Sequence, residues 1–257
     1  MTSLDAEPPD TPPTAGRPAD VPVFMRHRLG LTHPGERLPL PAWLRQTDGE
    51  NRLPVAAAVV LAAAAQLALP EALTLGPRWV MPAIELVLLV ALSIANPVRL
   101  QREHPLLRVV ALALVVCLIV ANTGSAALLI RSLLNGHSSN SARTLIGNGA
   151  AIYLTNIVAF ALCYWELDRD GPFSRAQARN NVPDFLFPQM ATPEVTDRDW
   201  EPYFFDYLYV SFTNATAFSP TDTMPLSRWA KLAMMAQSIV ALATIGLVIA
   251  RAVNVLK

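Results

Sequence analysis

The sequence predicts an all-α, polytopic membrane protein with about five transmembrane spans and a re-entrant pore helix before the last span. Hydrophobic residues form 53% of the 257 positions and charged residues only 16%, a balance too apolar for an ordinary soluble domain. Five apolar segments also come near the length of about 20 residues that a helix needs to cross a hydrocarbon core of about 30 Å. We therefore expect an integral membrane protein embedded in a lipid bilayer.

The residue usage indicates a bacterial source. Arginine far outnumbers lysine, which occurs only at Lys231 and Lys257, and alanine is abundant. This bias is typical of GC-rich bacterial genomes, so the expected location is a bacterial cytoplasmic membrane.

Residues 1–52 form a predicted disordered tail. They are rich in proline and polar residues and contain no long apolar run, so they cannot bury enough apolar surface to offset the entropy lost on ordering. The segment 38–44 allows two interpretations, a plain linker or a contact of Trp43 with the membrane interface.

The predicted spans are 53–69, 79–95, 106–130, 145–165 and 229–256. Proline and glycine mark the boundaries of the first two spans: Pro70 and the Gly76-Pro77 pair lie between them, and Asn96-Pro97 closes the second. Proline disfavours helix in the residue before it and lacks the N–H that a helix interior needs. The first three spans make up the N-terminal membrane domain, 53–142.

Several function classes are excluded. The net charge is +0 and no basic run occurs, which argues against nucleic acid as a partner. The four histidines lie singly, the two cysteines lie inside apolar segments, and no hydrolase, metal or cofactor signature occurs. The acids of 166–170 could hold a divalent ion or form a solvated helix end. We expect neither an enzyme nor a bound cofactor or structural metal.

The C-terminal part has the layout of a pore module, 143–257. A predicted outer helix at 143–166 leads into an acidic loop at 167–202. The aromatic segment FDYLYVSFTNATAFSPTD at 205–222 then belongs to a pore helix and filter over 203–222, and an inner helix follows at 228–256.

From Ser211 to Ala250 the chain resembles, without a gap, the pore helix, filter and inner helix of bacterial potassium channels. Matching positions are Ser211, Ala215, Thr216, Asp222, Pro225, Trp229-Ala230-Lys231-Leu232, Gly246-Leu247-Val248 and Ala250. The runs YWELDRDGP, PDFLFPQ and FTNATAFSPTD also resemble a family of uncharacterised bacterial membrane proteins. The channel resemblance implies a homotetramer around a central pore that passes inorganic cations.

The filter departs from the channel pattern. The threonine-valine-glycine-tyrosine-glycine of those channels is replaced by Ala217, Phe218, Ser219, Pro220 and Thr221. Potassium selectivity requires backbone carbonyls turned toward the ion, and the glycines that permit this conformation are missing. The predicted pore is therefore poorly selective or selective for an ion other than potassium.

The candidate pore residues are hydroxyl-bearing, filter and inner-helix positions: Thr213, Thr216, Ala217, Phe218, Ser219, Pro220, Thr221, Asp222, Leu242, Ile245 and Ile249. Asp222 would form a ring of carboxylates in a tetramer, or serve as a turn residue. The three apolar residues share a helical face, which would line a cavity or contact lipid.

Polar residues inside the spans are further candidates, because they are costly in lipid. Glu85 could bind a proton or cation, pair with Arg78, or reach toward the nearer interface. Asn122 and Asn156 are expected to form interhelical hydrogen bonds.

Membrane orientation stays open. The arginines that flank the first two spans favour a cytoplasmic N-terminus, whereas a pore module of ordinary polarity has its acidic loop outside.

Three functions follow in order of preference. The first is the atypical ion pore. The second is a non-conducting scaffold or partner-binding subunit, and the third is a secondary transporter that uses Glu85.

Overall fold

The computed structural model describes residues 40–95, 105–135, 141–216 and 222–255. Within these ranges the chain is mostly helical, which confirms the predicted all-α class. The α-helices are α1 (Leu53–Leu67), α2 (Val80–Ala95), α3 (Pro105–Leu134), α4 (Ala142–Leu167), α5 (Pro172–Ala176), α6 (Pro188–Ala191), α7 (Phe204–Thr216) and α8 (Arg228–Val255).

Three helices are long and apolar enough to cross a membrane, namely α3, α4 and α8. Their 30, 26 and 28 residues give lengths of about 45, 39 and 42 Å at about 1.5 Å per residue. Helices α1 and α2 have 15 and 16 residues and are shorter apolar helices. Three membrane-length helices therefore agree with the sequence, and the full count of five spans stays a prediction.

Helix α4 occupies the centre of the bundle. It packs against α1, α3, α7 and α8, and every residue from Thr155 to Glu166 is buried. Gly149 near its start allows close approach, because a Cβ there would lie 2.9 Å from the side chain of Val248 on α8. The predicted outer helix is thus the innermost helix of the single chain.

The helices alternate in direction, and contacts at their ends show this. Arg52, just before α1, donates a hydrogen bond to the carbonyl oxygen of Leu92 near the end of α2. Arg108 near the start of α3 lies 3.7 Å from Asp170, which follows α4. At the opposite end, an apolar cluster joins the turn after α1 to the other helices through Leu69, Leu73, Ala126, Leu129, Leu133, Leu145, Ile152, Val248 and Ala252.

Residues 40–52 and 167–203 pack together into what we name the cap. Residues 42–44 form a 3-10 turn that is buried, with Trp43 only 4% exposed. Ala42 N donates to the carbonyl oxygen of Arg198, and Thr47 N donates to that of Ala176, both at 2.9 Å. Residues 40–52 of the predicted disordered tail are therefore packed into the cap. The remainder of that tail, 1–39, lies outside the described residues.

The predicted acidic loop is folded. It contains α5, α6 and strand β1 (Phe185–Leu186), which pairs antiparallel with β2 (Met224–Pro225) at the entrance to α8. Gly171 has φ 96°, a conformation that favours glycine, and it reverses the chain after α4. The reversal brings the loop back over the end of α4 and the start of α7.

Candidate functional site: α7 between α4 and α8

Helix α7 lies against both α4 and α8. Its sequence is amphipathic, and the buried side consists of Phe204, Tyr207, Val210, Ser211 and Ala215. An aromatic stripe faces away from these helices, with Phe205, Tyr209 and Phe212 between 51% and 64% exposed. A 13-residue helix spans about 20 Å at about 1.5 Å per residue, so α7 is too short to cross a membrane by itself.

A buried hydrogen-bond network fixes α7 to its neighbours. Gln237 of α8 donates from Nε2 to Ser211 Oγ at 2.7 Å, and Ser211 Oγ donates to the carbonyl oxygen of Ile157 on α4 at 2.7 Å. Gln237 Oε1 accepts from the hydroxyl of Tyr164 at 2.6 Å and from Asn214 Nδ2 at 2.7 Å. Every polar atom of the Gln237 amide therefore has a partner on α4 or α7.

The cap holds the start of α7 and the start of α8. Asp168 accepts hydrogen bonds from the Tyr207 hydroxyl at 2.5 Å and from Asp184 N at 2.8 Å. Asp184 in turn accepts from Trp229 Nε1 at 2.8 Å. Arg175 lies over the Tyr207 ring, 5.0 Å from its centroid, and donates to the carbonyl oxygens of Trp165 and Asp168. The acids of 166–170 thus organise the protein itself, and within the described residues no group of three or more His, Cys, Asp or Glu forms a metal site.

Glu50 ties the N-terminal segment to the same region. Its carboxylate accepts from Trp165 Nε1 at 2.7 Å and from the backbone N of Phe204 at 2.6 Å. Burial raises the pKa of Glu50, and the hydrogen bonds from Phe204 and Trp165 oppose this rise. The start of α7 is therefore bonded to a residue that the sequence assigned to the disordered tail.

The predicted pore residues are only partly described. Thr213 donates to the carbonyl oxygen of Tyr209 at 2.8 Å, and Thr216 donates to that of Thr213 at 2.8 Å. Asp222 is exposed, at the point where the chain returns toward α8. The filter residues Ala217, Phe218, Ser219, Pro220 and Thr221 lie outside the described residues. The end of α7 packs against the middle of α8, where Ala215 clusters with Ala241, whereas the start of α8 lies at the cap, where Trp229 bonds to Asp184.

Leu242, Ile245 and Ile249 lie on an exposed face of α8, with 59%, 37% and 58% of their surfaces accessible. The opposite face packs inward and contains Gln237, Ala241, Thr244 and Val248. Their exposure in a single chain is compatible with both alternatives from the sequence, a cavity lining or a contact with lipid.

Asn122, Asn156 and Thr244 are buried polar residues on three different helices. Each is one helical turn from a residue of the apolar cluster, on the side nearer the cap. The cluster residues are Ala126, Ile152 and Val248 respectively. Their side-chain polar atoms have no hydrogen-bond partner among the described residues. The predicted interhelical hydrogen bonds of Asn122 and Asn156 are therefore not formed within the described part of the chain.

Glu85 is fully buried on α2. Both carboxylate oxygens accept from Nε2 of Gln66 on α1, at 2.8 and 2.9 Å. Complete burial rules out the predicted reach toward the interface, and Arg78 is exposed at the turn before α2. Glu85 is thus paired with a neutral amide, and it lies on helices other than those that hold α7.

Sequence reasoning missed Gln237, Asn214 and Tyr164. One signal was present, because a glutamine inside a membrane-length apolar helix is costly unless it is hydrogen-bonded. The partners of Gln237 come from segments far apart in sequence, so this signal could identify the residue but not the network.

The helical fold and its three membrane-length helices define a helical integral membrane protein. No family model, curated protein or solved structure matches the chain. The function is therefore argued from its own residues and their geometry.

Proposed function

We propose that this chain is an ion-channel-like membrane protein, four copies of which surround a poorly selective or non-potassium pore. The observation that carries the proposal is the position of α7, a short helix held between two membrane-length helices by the Gln237 network. A re-entrant pore helix needs this arrangement, because irregular backbone at membrane depth must be supported by protein or line a water-filled cavity.

The direction of the helix dipole of α7 also fits a pore helix. The C-terminal end of a helix carries a partial negative charge, since its last carbonyl groups lack partners within the helix. In α7 this end is at Thr216, six residues before the exposed Asp222. Four such ends around an axis, together with four Asp222 carboxylates, would favour cations over anions.

The exposed surfaces are compatible with several copies around an axis. The aromatic stripe of α7 and the apolar face of α8 are each at least 37% exposed at every named residue. A neighbouring subunit could cover the α7 stripe while the four α8 helices line the pore.

The test is a measurement of ion selectivity after reconstitution into planar lipid bilayers. Wild-type protein should conduct, with a reversal potential in a salt gradient that indicates cation preference. Asp222→Asn should reduce that preference severalfold, since it removes a charge from each subunit. Glu194→Gln is the matched control, because Glu194 is also an exposed acid at the cap end of the bundle, and it should leave selectivity unchanged.

Absence of conductance from folded, tetrameric wild-type protein would overturn the pore proposal. The non-conducting scaffold would then be the better description of the same fold.

A further inference from the structure

Glu85 of α2 is buried against α1, which packs beside it, away from the Gln237 network. Its side chain has no accessible surface, and both of its oxygens face the Gln66 amide. On α3, the Cys117 thiol is near enough to interact electrostatically with Glu85. The Cys117 sulfur lies 3.8 Å from the sulfur of Met81 on α2. No lysine or arginine of the described residues forms an ion pair with this carboxyl group.

The charged residues of the neighbouring elements point elsewhere. Arg52 is bonded to Leu92 at the cap end of α1, and Arg108 is paired with Asp170 beyond α4. Glu71, Arg78 and Arg131 are exposed at the opposite end of the bundle. Among the described residues of these elements, no other charged side chain therefore lies beside Glu85.

Burial of an isolated carboxylate in such apolar surroundings has a high free-energy cost. Two ligands could remove this cost, a proton or a metal cation. A cation needs several further oxygen ligands, and the Gln66 N–H groups already occupy lone pairs of both carboxylate oxygens. A proton needs a single acceptor, which the Gln66 amide oxygen can supply once the amide turns.

We propose that Glu85 is a reversible proton-binding site within the membrane-embedded part of the bundle. Gln66 serves both protonation states, since its N–H groups bind the carboxylate and its oxygen accepts the O–H of the acid. The inference does not depend on the proposed pore, because no residue of the α7 region takes part in it.

The test uses dicyclohexylcarbodiimide, an apolar reagent that modifies protonated carboxyl groups in apolar surroundings. The acid proton moves to a carbodiimide nitrogen and the carboxyl oxygen bonds to the central carbon, giving an O-acylisourea. Its acyl group then moves from that oxygen to the neighbouring nitrogen, giving a stable N-acylurea with no leaving group. Full-length protein in lipid nanodiscs is treated over a range from about pH 5 to about pH 9, and the adduct is quantified by peptide mass spectrometry.

We expect an adduct on Glu85 whose rate of formation falls as pH rises. Gln66→Leu removes the donors that stabilise the ionised form, so the pH midpoint of labelling should rise by about one unit. Glu71→Gln is the control and should leave both the adduct and its midpoint unchanged. Because the readout uses wild-type protein and Gln66→Leu, it does not require a folded Glu85 variant.

Three results would overturn the inference. The first is folded protein without an adduct at Glu85. The second is labelling at the same rate at every pH, which would indicate a permanently neutral structural acid. The third is protection by sodium ions but not by an equal concentration of choline, which would indicate a bound metal cation instead of a proton.

Discussion

Gln237 of α8 donates hydrogen bonds from Nε2 to both the hydroxyl and the carbonyl oxygen of Ser211 on α7, at 2.7 and 2.9 Å. Because Ser211 itself bonds to Ile157 on α4, this pair of residues joins all three helices of the candidate site. The orientation of α7 within the bundle therefore depends on one buried amide.

Gln237→Leu should lower the free energy of unfolding by about 2 kcal/mol or more, because it removes the acceptor of the buried Tyr164 hydroxyl and one hydrogen bond each from Ser211 and Asn214. Thermal and denaturant unfolding in detergent would measure the loss. Met235→Leu, at a position 60% exposed on the same helix, should change stability by less than about 0.5 kcal/mol. Equal stability of the two variants would show that the network does not hold α7.

The exposed face of α8 should meet its copies in a tetramer. In protein whose two cysteines are replaced by alanine, Ile249→Cys should form oxidised dimers of subunits. Ala241→Cys should not, because Ala241 is 1% exposed and faces its own chain. Native mass spectrometry in nanodiscs should give four copies, and a stable monomer without cross-links would contradict the pore.

The cap should lie on the cytoplasmic side. Most described arginines belong to this end, namely Arg45, Arg52, Arg108, Arg169, Arg175, Arg179, Arg198 and Arg228, whereas Arg78, Arg131, Arg143 and Arg251 lie at the other. Since basic residues are enriched in cytoplasmic segments, α7 would enter the membrane from the cytoplasm. In the sequence, the arginine distribution conflicts with the ordinary orientation of a pore module. A pore module inserted in the opposite orientation would remove this conflict.

Single cysteines can test this orientation with a membrane-impermeant maleimide in the same cysteine-free background. Leu134→Cys, 72% exposed, should react in intact cells, and Val195→Cys, 81% exposed in the cap, only after lysis. The reverse pattern would place the cap outside, and reaction of both in intact cells would contradict the alternating helix directions.

Glu50 should make the cap sensitive to pH. Burial raises its pKa above the ordinary value of 4.5, so the folded state favours the protonated acid. This contribution to stability is complete below the ordinary pKa and is lost as pH rises through the raised one. Glu50→Gln cannot titrate, so the stability of wild type relative to this variant should fall with rising pH.

Unfolding temperatures from about pH 4 to about pH 8 would measure this difference. The difference in unfolding temperature between wild type and Glu194→Gln, which alters an exposed acid, should not change with pH. A wild-type advantage over Glu50→Gln that grows with pH would refute the assignment.

The helices were predictable because their signal is local. The predicted last span, 229–256, agrees closely with α8 (Arg228–Val255), and the predicted break near Pro70 agrees with the end of α1 at Leu67. Apolar runs, prolines and glycines act within a few residues of chain. The order of residues 40–52 was not predictable, because Trp43 and Glu50 gain partners more than 100 positions away.

For the candidate site, too, some features were predictable from the sequence and others depended on the tertiary structure. Sequence alone identified the short helix before the last span, and it named as candidates the hydroxyl residues at its end, Asp222, and Glu85 in an apolar helix. Only the tertiary structure decided that Gln66 faces Glu85, that Gln237 holds α7, and that α4 is the central helix. The physical reason is that an apolar residue is equally stable against lipid and against a protein interior, so composition marks a membrane helix without marking which of its faces is buried.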